Sequence, residues 1–532
     1  MRRGAIVLGM LLTVVTASSA QAAPATQVHG LSPYPNPGGC HGAVQSGTLF
    51  VNSEVEPWVG DNDNPTGDAD PDSLIGTWQQ DRFSSGGSSG LLVAYSHDGG
   101  ASWTLPPLSA QPAITNCQDP DNSGTNSDWE RATDPWSDIS PNGDMWFMSL
   151  SFNDTRNLRN AMLVSKSEDG GANWTEPVTL IDDANPHVFN DKNSLTADPN
   201  DSDLVYAIWD RLVFPNERSQ GDSSALHAAA FTGPTYLSKT VNGTDDDGGD
   251  WTTRKILDLG TNDQTIANQI AVLPRTAGQT ESTLINVFDW IHNDNQQGRK
   301  GEKISAMWST DSGDTWSDPV VIDPIAGAAP LDRDPDGAPC PEQIGHKFDP
   351  YVCRLRTGDG VPDVAVDPIT GTAYVAWQDG GPDGNVVIRL AKSTDHGQSW
   401  DQLGVVSTVP ATDAHTPSVE VDGDGNVAVT YYDFRFNDIN SIDGLETAHW
   451  IRRSAAGGES FGPDELLGAT FDTRKAPYAL GYFLGDYDGL GSSGTAFKPF
   501  WTSTQGSTAG KPVLDGGVDT ADRTNVFSAS TP

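Results

Sequence analysis

Basic residues are scarce in this chain. Its 532 residues include 31 Lys and Arg against 72 Asp and Glu, which gives a formal net charge of −41 at pH 7. Such an acidic surface argues against nucleic acid and anionic membranes as partners, because both repel negative charge. The composition fits an exported protein that self-repulsion keeps in solution, and we expect a monomer. We expect the protein to require no cofactor, although its many carboxylates could bind a structural calcium ion.

Apolar runs long enough to cross a membrane are missing as well. An apolar run at residues 5–15 follows Arg2 and Arg3 and precedes small residues that end at Ala22. This order is typical of a secretory signal peptide over residues 1–22, and the run is too short for a transmembrane helix. The sequence therefore predicts a secreted, extracellular protein.

Cysteine is rare, with four residues, and no pair has the Cys-x-x-Cys spacing of metal or redox sites. An exported chain with an even number of cysteines is expected to form disulfides. Cys340 and Cys353 lie close together in one insertion rich in Pro and Asp, so we pair them. Cys40 then pairs with Cys117 by elimination.

Several catalytic motifs are also missing. The chain has no P-loop, no dinucleotide-binding fingerprint and no His-Glu-x-x-His zinc motif. Its Gly-x-Ser-x-Gly match at residues 86–90 lies in a Gly/Ser-rich run before a strand, with no helix after it, and therefore reads as a loop. Helical periodicity is nearly absent throughout.

What the chain does contain is a repeated eight-residue frame, Ser-x-Asp-x-Gly-x-x-Trp. Four full copies stand at residues 96–103, 167–174, 309–316 and 393–400, and two weaker copies stand at 244–251 and 454–461. In a hairpin turn the Asp accepts hydrogen bonds from turn amides, the Gly supplies a positive φ, and the aromatic ring folds back onto the sheet. Six copies in one chain indicate a repeat architecture.

The segments between the frames predict strands. Each interval holds a short apolar strand, a second strand rich in aromatic and β-branched residues, a third strand leading into the frame, and a short fourth strand. We therefore predict an all-β fold, a β-propeller of four-stranded antiparallel blades. Strands expected at residues 482–487, 496–502 and 524–528, completed by one near 48–52, give seven blades as the preferred count. Six blades are the alternative.

The frame resembles the Asp-box, or bacterial neuraminidase repeat, of the sialidase superfamily of β-propellers. The resemblance runs from about Leu49 to the C-terminus. It implies a single sialidase-like propeller domain at 49–532, which follows the signal peptide at 1–22 and an N-terminal segment at 23–48. The repeat is more specific for fold than for activity, because it also occurs in other glycosidases, in lyases and in binding proteins.

Carboxylates and guanidiniums recur where the mouth of a propeller funnel should lie. The second strands end in an aromatic residue followed by an acidic and often a basic one, and the loops that enter the first strands add more. These positions are Asp81, Arg82, Asp210, Arg211, Asp379, Asp433 and Arg435 at the strand ends, and Arg131, Asp134, Asp191 and Tyr487 in the entering loops. Paired carboxylates can protonate a glycosidic oxygen and activate water, whereas the structural alternative is a set of Asp–Arg pairs at the blade ends.

The resemblance to sialidases suggests roles for these residues. Sialidases hold the sugar carboxylate with three Arg, and they use an Asp acid/base and a Tyr nucleophile tuned by a Glu. The resemblance implies Asp81, Asp134 and Asp191 as candidates for the acid/base, Tyr487 as nucleophile, and Arg82, Arg131, Arg211 and Arg435 as substrate-binding residues. From the strand-end pattern we add Asp210 to the acid/base pool and Asp379 and Asp433 to the substrate-binding residues. The Arg-Ile-Pro motif of sialidases is missing here, and no Glu clearly matches the tyrosine's partner.

These patterns predict a secreted sialidase-like glycoside hydrolase that cleaves terminal sugars, acidic ones included, from extracellular glycans. A lyase acting on uronate-containing polysaccharide is an alternative, with His415 and His292 beside Tyr432 or Tyr487 as its proton-transfer groups. A non-catalytic propeller that binds glycan or protein is the other. Any structural calcium would suit an Asp-rich turn such as residues 332–336.

Overall fold

Strands provide nearly all of the regular structure. The computed structural model describes residues 22–62, 69–118, 129–155, 158–214, 232–245, 248–293, 300–326, 355–358, 360–381, 384–410, 412–437, 444–455 and 457–531. Within these ranges there is no α-helix, only two one-turn 3₁₀ helices at Leu108–Ala110 and Thr473–Lys475. The signal peptide up to residue 21, the Cys340–Cys353 pairing and the turn at 332–336 lie outside the described residues.

The strands follow one another along the whole described chain. In the first half they are β1 (Thr26–Gln27), β2 (Leu49–Asp61), β3 (Leu74–Phe83), β4 (Ser88–Ser96), β5 (Arg131–Ile139), β6 (Met145–Phe152), β7 (Asn160–Ser167), β8 (Val178–Asp183), β9 (Val188–Ala197), β10 (Val205–Val213), β11 (Thr235–Thr240), β12 (Trp251–Leu257), β13 (Asp263–Val272), β14 (Leu284–Asn293), β15 (Lys300–Ser309) and β16 (Val320–Ile325). In the second half they are β17 (Leu355–Arg356), β18 (Asp363–Val366), β19 (Ala373–Gly380), β20 (Val386–Ser393), β21 (Asp401–Val405), β22 (Ala414–Val421), β23 (Val427–Asp433), β24 (Glu446–Ser454), β25 (Glu465–Asp472), β26 (Tyr482–Phe483), β27 (Gly489–Ser493), β28 (Ala496–Ser503), β29 (Val518–Asp519) and β30 (Asn525–Ser528).

Consecutive strands pair antiparallel into four-stranded sheets, as short connections favour. Strands β9 to β12, β13 to β16, β18 to β21 and β22 to β25 each form one such sheet. Strands β2 to β4 and β5 to β8 are joined into a longer sheet by one residue pair, Ser88 with Ala132, and β29 adds to its edge. The predicted all-β architecture of four-stranded antiparallel sheets is confirmed.

The last sheet joins the two ends of the described chain. It has the order β1–β30–β28–β27, with Thr26 opposite Ser528. The expectation that residues 48–52 complete this sheet is wrong, because they begin β2, which pairs with β3 and β29. The strand expected at 482–487 is also shorter: β26 pairs with β17, and Asp486 and Tyr487 leave the sheet to bond with Lys192 and Pro135.

The innermost strands of the sheets contact one another in a closed circuit. In order these strands are β2, β5, β9, β13, β18, β22 and β27, and β27 returns to contact β2. The sheets therefore surround a common axis, which is consistent with a β-propeller.

The hydrophobic core lies between neighbouring sheets. Trp146 and Met148 of β6 pack with Phe189 of β9 and Trp209 of β10, and all four side chains are buried. Because both faces of the central strands are covered, β3 and β6 are buried at every residue, and strict apolar–polar alternation is not needed. Among the described residues no helix has the length and apolarity of a membrane span.

The repeated frames form closed turns after the third strands. In the first frame the Ser96 hydroxyl accepts the Gly100 N–H at 2.9 Å, and Asp98 accepts the backbone N–H of Ser102 at 2.8 Å and its hydroxyl at 2.6 Å. The hydrogen bonds to Ser102 hold the pKa of Asp98 below its ordinary value. None of the frame residues that the structure describes lines the cavity of about 510 Å³ presented below, and their bonds within the turn indicate a structural role.

A tryptophan that ends a frame should therefore affect stability and not turnover. Trp174 donates its indole N–H to the Gly171 carbonyl at 3.2 Å and packs edge-on to Phe147. Because Trp174 is half-buried, we expect Trp174→Ala to lower the free energy of unfolding by about 2 kcal/mol, against roughly 3–5 kcal/mol for a fully buried Trp. Denaturant unfolding measures this. Ile369→Ala at an exposed position is the control, and loss of turnover in folded Trp174→Ala would contradict the assignment.

One disulfide lies in the described chain. Cys40 and Cys117 are bonded, with their Cα atoms 4.9 Å apart. The bond ties the segment before β2 to the long connection after β4. With His41 these cysteines are the only cluster of potential metal ligands among the described residues, and the disulfide occupies both sulfurs.

Candidate active site

A bulge interrupts five of the innermost strands at corresponding positions. Pairing registers shift in β2, β5, β9, β13 and β22. Within each bulge one residue has a positive φ: Glu56 (51°), Asp134 (52°), Lys192 (46°), Ala267 (54°) and Thr416 (50°). A non-Gly residue in this region costs of order 1–3 kcal/mol, and such strain persists only where the surroundings impose it. Bulges redirect side chains, so the bulged segments of these innermost strands are a candidate site.

Two of the predicted acids, Asp210 and Asp81, accept hydrogen bonds from backbone N–H groups of the innermost strands. Asp210 of β10 accepts hydrogen bonds from the Thr265 hydroxyl, the Ala267 N–H and the Asn268 amide, at 2.8, 3.0 and 2.6 Å. Asp81 of β3 accepts the Asn52 N–H at 2.9 Å. Neither lines the cavity of about 510 Å³ described next, so the acid/base role of Asp81 and Asp210 stays a prediction that their position does not favour.

The bulges of β2, β5 and β9 bring Glu56, Asp134 and Lys192 to the wall of a cavity of about 510 Å³. Six carboxyl groups and three cationic side chains of Lys and Arg line it. These are Glu56, Asp134, Asp191, Asp289, Glu302 and Asp486, with Arg82, Lys192 and Arg356. Apolar surface comes from Phe152, Phe189, Ile266, Ile291 and Leu355. Mixed acidic and apolar walls of this size suit a polar organic ligand.

Asp486 holds two of the cations. Its carboxylate lies 2.6 Å from Lys192 Nζ and accepts Arg356 Nη2 at 2.7 Å and Nε at 3.2 Å. Burial acts to raise the pKa of Asp486, but the charges of Arg356 and Lys192 outweigh it and hold the pKa below its usual range. Asp486 is therefore an ionised anchor.

The pKa of Glu56, in contrast to that of Asp486, lies above its ordinary value. Its side chain is 1% exposed, and Oε1 lies 3.6 Å from Lys192 Nζ while Oε2 accepts the Gln79 amide. Burial raises the pKa of Glu56 to about 8, although Lys192 opposes the shift, and Asp134 and Asp486 add to it. The cavity thus holds a carboxylic acid that keeps its proton at neutral pH.

Asp134 lies beside the same ammonium group. Its Oδ1 accepts the Thr133 hydroxyl at 2.7 Å, and Oδ2 is buried 3.8 Å from Lys192 Nζ with no hydrogen-bond partner. Burial raises the pKa of Asp134, Lys192 opposes the shift and Asp191 adds to it. Glu56 and Asp134 are therefore two acids next to one cation, and such a pair titrates as a unit.

The structure separates the other arginines from this cavity. Arg131 donates to the Gly86 carbonyl at 2.6 Å and lies 3.3 Å from Asp154. Arg211 pairs with Asp183. Arg435 pairs with Asp433 and Asp464, and Asp379 pairs with Arg389. The expected substrate-binding roles of Arg131, Arg211, Asp379, Asp433 and Arg435 are thus not supported, because each is neutralised elsewhere; only Arg82 of that set lines the cavity.

Tyr487 is not placed as a nucleophile. Its hydroxyl donates to the Pro135 carbonyl at 3.2 Å, and its ring packs against Trp58 and Trp136. Burial raises the pKa of Tyr487 well above its ordinary value. The side chain is absent from the described cavity wall and its hydroxyl is engaged, so the nucleophile role of Tyr487 stays a prediction that this arrangement does not favour.

Only one of the two histidines expected in a lyase lines the cavity. His292 lines the cavity, with Nδ1 3.0 Å from Asp263. His415 is stacked on Tyr432 in a buried aromatic cluster, and neither lines the cavity. The lyase set is therefore not assembled.

Sequence reasoning missed Glu56, Arg356 and Glu302. A signal for Glu56 was available, because Glu-Pro-Trp at residues 56–58 repeats Asp-Pro-Trp at 134–136. The two tryptophans of this repeat stack with ring centroids 3.6 Å apart. Pro after the strained residue suits a bulge, since it has no N–H to leave unpaired in the ladder.

Comparisons with known proteins identify no family. No family model and no curated sequence matches the chain. Among solved structures, it is similar to an α-L-arabinofuranosidase from Fusarium graminearum (14% identity, 81% of this chain and 98% of that chain, TM-score 0.41) and to the Hadza microbial sialidase Hz136 (16%, 71% and 63%, 0.40). An ulvan lyase is a third neighbour (12%, 86% and 92%, 0.42). These neighbours are glycan-active enzymes, and their scores are too low to assign an activity to this chain.

Proposed function

We propose that this protein is a secreted glycoside hydrolase, in which Glu56 protonates the leaving glycosidic oxygen and Asp134 acts on the other side of the bond. The observation that carries the proposal is the buried carboxyl of Glu56, whose pKa is raised to about 8, in a cavity with a second carboxylate. Environments that separate the protonation of two acids are how such enzymes divide the acid and base roles.

Proton donation by Glu56 is favoured by its surroundings. When the proton leaves, the new carboxylate faces Lys192 Nζ at 3.6 Å and the Gln79 amide. Both groups stabilise negative charge that forms only as the bond breaks, which is how fixed charges and dipoles lower a barrier. Lys192 is in turn held by Asp486, so it need not reorganise during the reaction.

Asp134 is the better base of the pair. The Thr133 hydroxyl satisfies Oδ1, whereas Oδ2 has no hydrogen-bond partner and can accept a proton from water or attack the sugar. The proton that Glu56 retains leaves Asp134 as the ionised member beside Lys192, because two adjacent carboxylates do not both ionise easily.

The fold proposed for this enzyme is a seven-bladed propeller. The circuit of β2, β5, β9, β13, β18, β22 and β27 supports that count, with β1 completing the last blade. Sialidase activity in the strict sense has less support, since the three-arginine set is not at the cavity. Export rests on the N-terminal sequence.

The test of this function is product analysis with purified protein on a panel of polysaccharides and aryl glycosides. We expect new reducing ends without the ultraviolet absorbance of an unsaturated sugar. Unsaturated product would indicate a lyase, and binding without any turnover would indicate a glycan-binding propeller.

The pH dependence of turnover and of stability should reflect the loss of the Glu56 proton. As pH rises through about 8, Glu56 loses its proton, and kcat/KM should fall along that limb.

Because the folded-state pKa exceeds the ordinary 4.5, the stability contribution of Glu56 is full below 4.5 and is lost as pH rises to about 8. In Glu56→Gln the free energy of unfolding should therefore change less with pH between 4.5 and about 8. An unchanged pH slope in the variant would contradict the assigned pKa.

A further inference from the structure

We infer that Gln79 is a positioning residue that gives the two acids opposite roles, with Glu56 Oε1 as the proton donor and Asp134 Oδ2 as the base. This inference rests on the proposed glycosidase function and deepens it. It follows from a chain of hydrogen bonds whose directions are fixed by groups that can only donate.

Arg82 fixes the orientation of the Gln79 amide. Its Nη1 donates to Gln79 Oε1 at 2.6 Å. A guanidinium has no acceptor, so the amide oxygen must face it and the NH₂ group must point the other way. Gln79 is fully buried, and it is not among the described residues that line the cavity. It therefore acts through its neighbours and not by contact with the sugar.

The NH₂ group of Gln79 bonds to both sides of the acid pair. It donates to Glu56 Oε2 and, at 2.9 Å, to Thr133 Oγ1. Because a donor already faces Oε2, the proton that Glu56 retains lies on Oε1, which is 3.6 Å from Lys192 Nζ. Oε1 is therefore the oxygen that protonates the leaving group.

Thr133 carries the same constraint to Asp134. Its hydroxyl oxygen accepts from Gln79, so its single proton is left to donate to Asp134 Oδ1 at 2.7 Å. Burial raises the pKa of Asp134, and this hydrogen bond acts against the shift. Since Oδ1 is engaged and Oδ2 has no hydrogen-bond partner, Oδ2 is the oxygen that can act on water or on the sugar.

Two substitutions remove these donors at nearly constant side-chain volume. Thr133→Val lacks the hydroxyl, whereas Gln79→Glu keeps an acceptor for Arg82 but has no N–H, so the Thr133 hydroxyl donates to the new carboxylate. In both variants Asp134 loses its donor. We expect the acidic limb of kcat/KM, which reports the ionisation of Asp134, to move to higher pH by about one pH unit. Thr133→Ser retains the hydroxyl and should restore the wild-type profile.

The other charged and titratable groups near the acid pair stay in place in Thr133→Val. They are Arg82, Asp191, Lys192, Arg356, Asp486 and Tyr487. A shift of the acidic limb in this variant therefore reflects the lost hydroxyl.

Gln80→Glu is the matched control for Gln79→Glu. Gln80 is also fully buried, it donates to Asp81 Oδ1 at 2.9 Å, and it is not among the described lining residues. Its substitution should lower stability and leave the acidic limb at the pH of wild type. Turnover with an unmoved acidic limb in both Thr133→Val and Gln79→Glu would overturn this inference and leave the proposed function standing.

A second measurement does not depend on turnover. The pKa of Asp134 in the folded protein lies above the ordinary 3.8, so its stability contribution is lost as pH rises through that pKa. Loss of the Thr133 hydroxyl raises the pKa further. Between pH 3.8 and neutrality, we therefore expect the unfolding equilibrium constant of Thr133→Val to increase about tenfold more than that of wild type, as one pH unit requires.

Denaturant unfolding at acidic and neutral pH measures this difference, with Thr133→Ser as the control. The same pH dependence in Thr133→Val and wild type would overturn the inference, whether or not the protein cleaves a glycan. The expected tenfold difference in a protein that cleaves no glycan would overturn the proposed function instead, and the hydrogen-bonded assignment of the two oxygens would stand.

Discussion

Glu56→Gln is expected to reduce turnover of a polysaccharide by about 10²- to 10⁴-fold, the usual contribution of a positioned general acid. The amide has the shape of the protonated acid and can still accept a hydrogen bond from Gln79, but it carries no transferable proton. Because Glu56 holds its proton at neutral pH, the substitution leaves the charge of the folded site nearly unchanged. We therefore expect kcat to fall much more than KM rises.

Asp81→Asn is the matched control for this variant. Asp81 is also a buried acid with a positive φ of 64° and a pKa raised by burial, and it is not on the cavity wall. Its substitution should lower stability and leave turnover per folded molecule within about twofold. Equal turnover in wild type and Glu56→Gln would remove Glu56 from the mechanism.

The second large effect is expected on stability. Asp210→Ala deprives the Thr265 hydroxyl, the Ala267 N–H and the Asn268 amide of their shared acceptor. The Ala267 N–H loses its acceptor outright, whereas the Thr265 hydroxyl and the Asn268 amide keep longer contacts, to the Gly233 carbonyl at 3.3 Å and to Thr265 Oγ1 at 3.2 Å. A buried donor left unsatisfied costs about 1–3 kcal/mol, so we expect the free energy of unfolding to fall by about 3 kcal/mol. The strained backbone at Ala267 adds to the loss, since Asp210 holds it in place.

Denaturant unfolding measures the loss, and turnover per folded molecule is measured at the same time. Asp210→Asn retains one acceptor oxygen and should recover part of the stability. If Asp210→Ala folded normally but were inactive, Asp210 would return to the acid/base pool and Glu56 would lose its sole claim to the acid role.

The sequence was most informative where the pattern is local. The frames close on themselves through contacts within eight residues, as the bonds among Ser96, Asp98 and Ser102 show. Their repetition is therefore sufficient to predict turns, strands and sheet type. The closing strand was missed because Thr26–Gln27 is too short to have a pattern, and only its pairing with β30 reveals it.

The site was harder to predict because strand-end acids look alike in sequence. Asp134 and Asp191 reach the cavity, whereas Asp210 turns to the amides of the neighbouring sheet. Which direction each takes depends on bulges that shift the register by one residue, and a shift of that size reverses the face of every side chain. Arg356 is beyond local reasoning altogether, since its partner Asp486 is 130 residues away.

The most direct test of proton donation by Glu56 is a leaving-group series. Aryl glycosides of the sugar that wild type cleaves would be compared in wild type and Glu56→Gln, with phenols of increasing acidity. A phenol acidic enough to leave unprotonated needs no general acid, so the variant should approach wild-type rates there and lose about 10²- to 10⁴-fold on poor leaving groups. A loss of the same size on every substrate would mean that Glu56 positions the sugar and donates no proton.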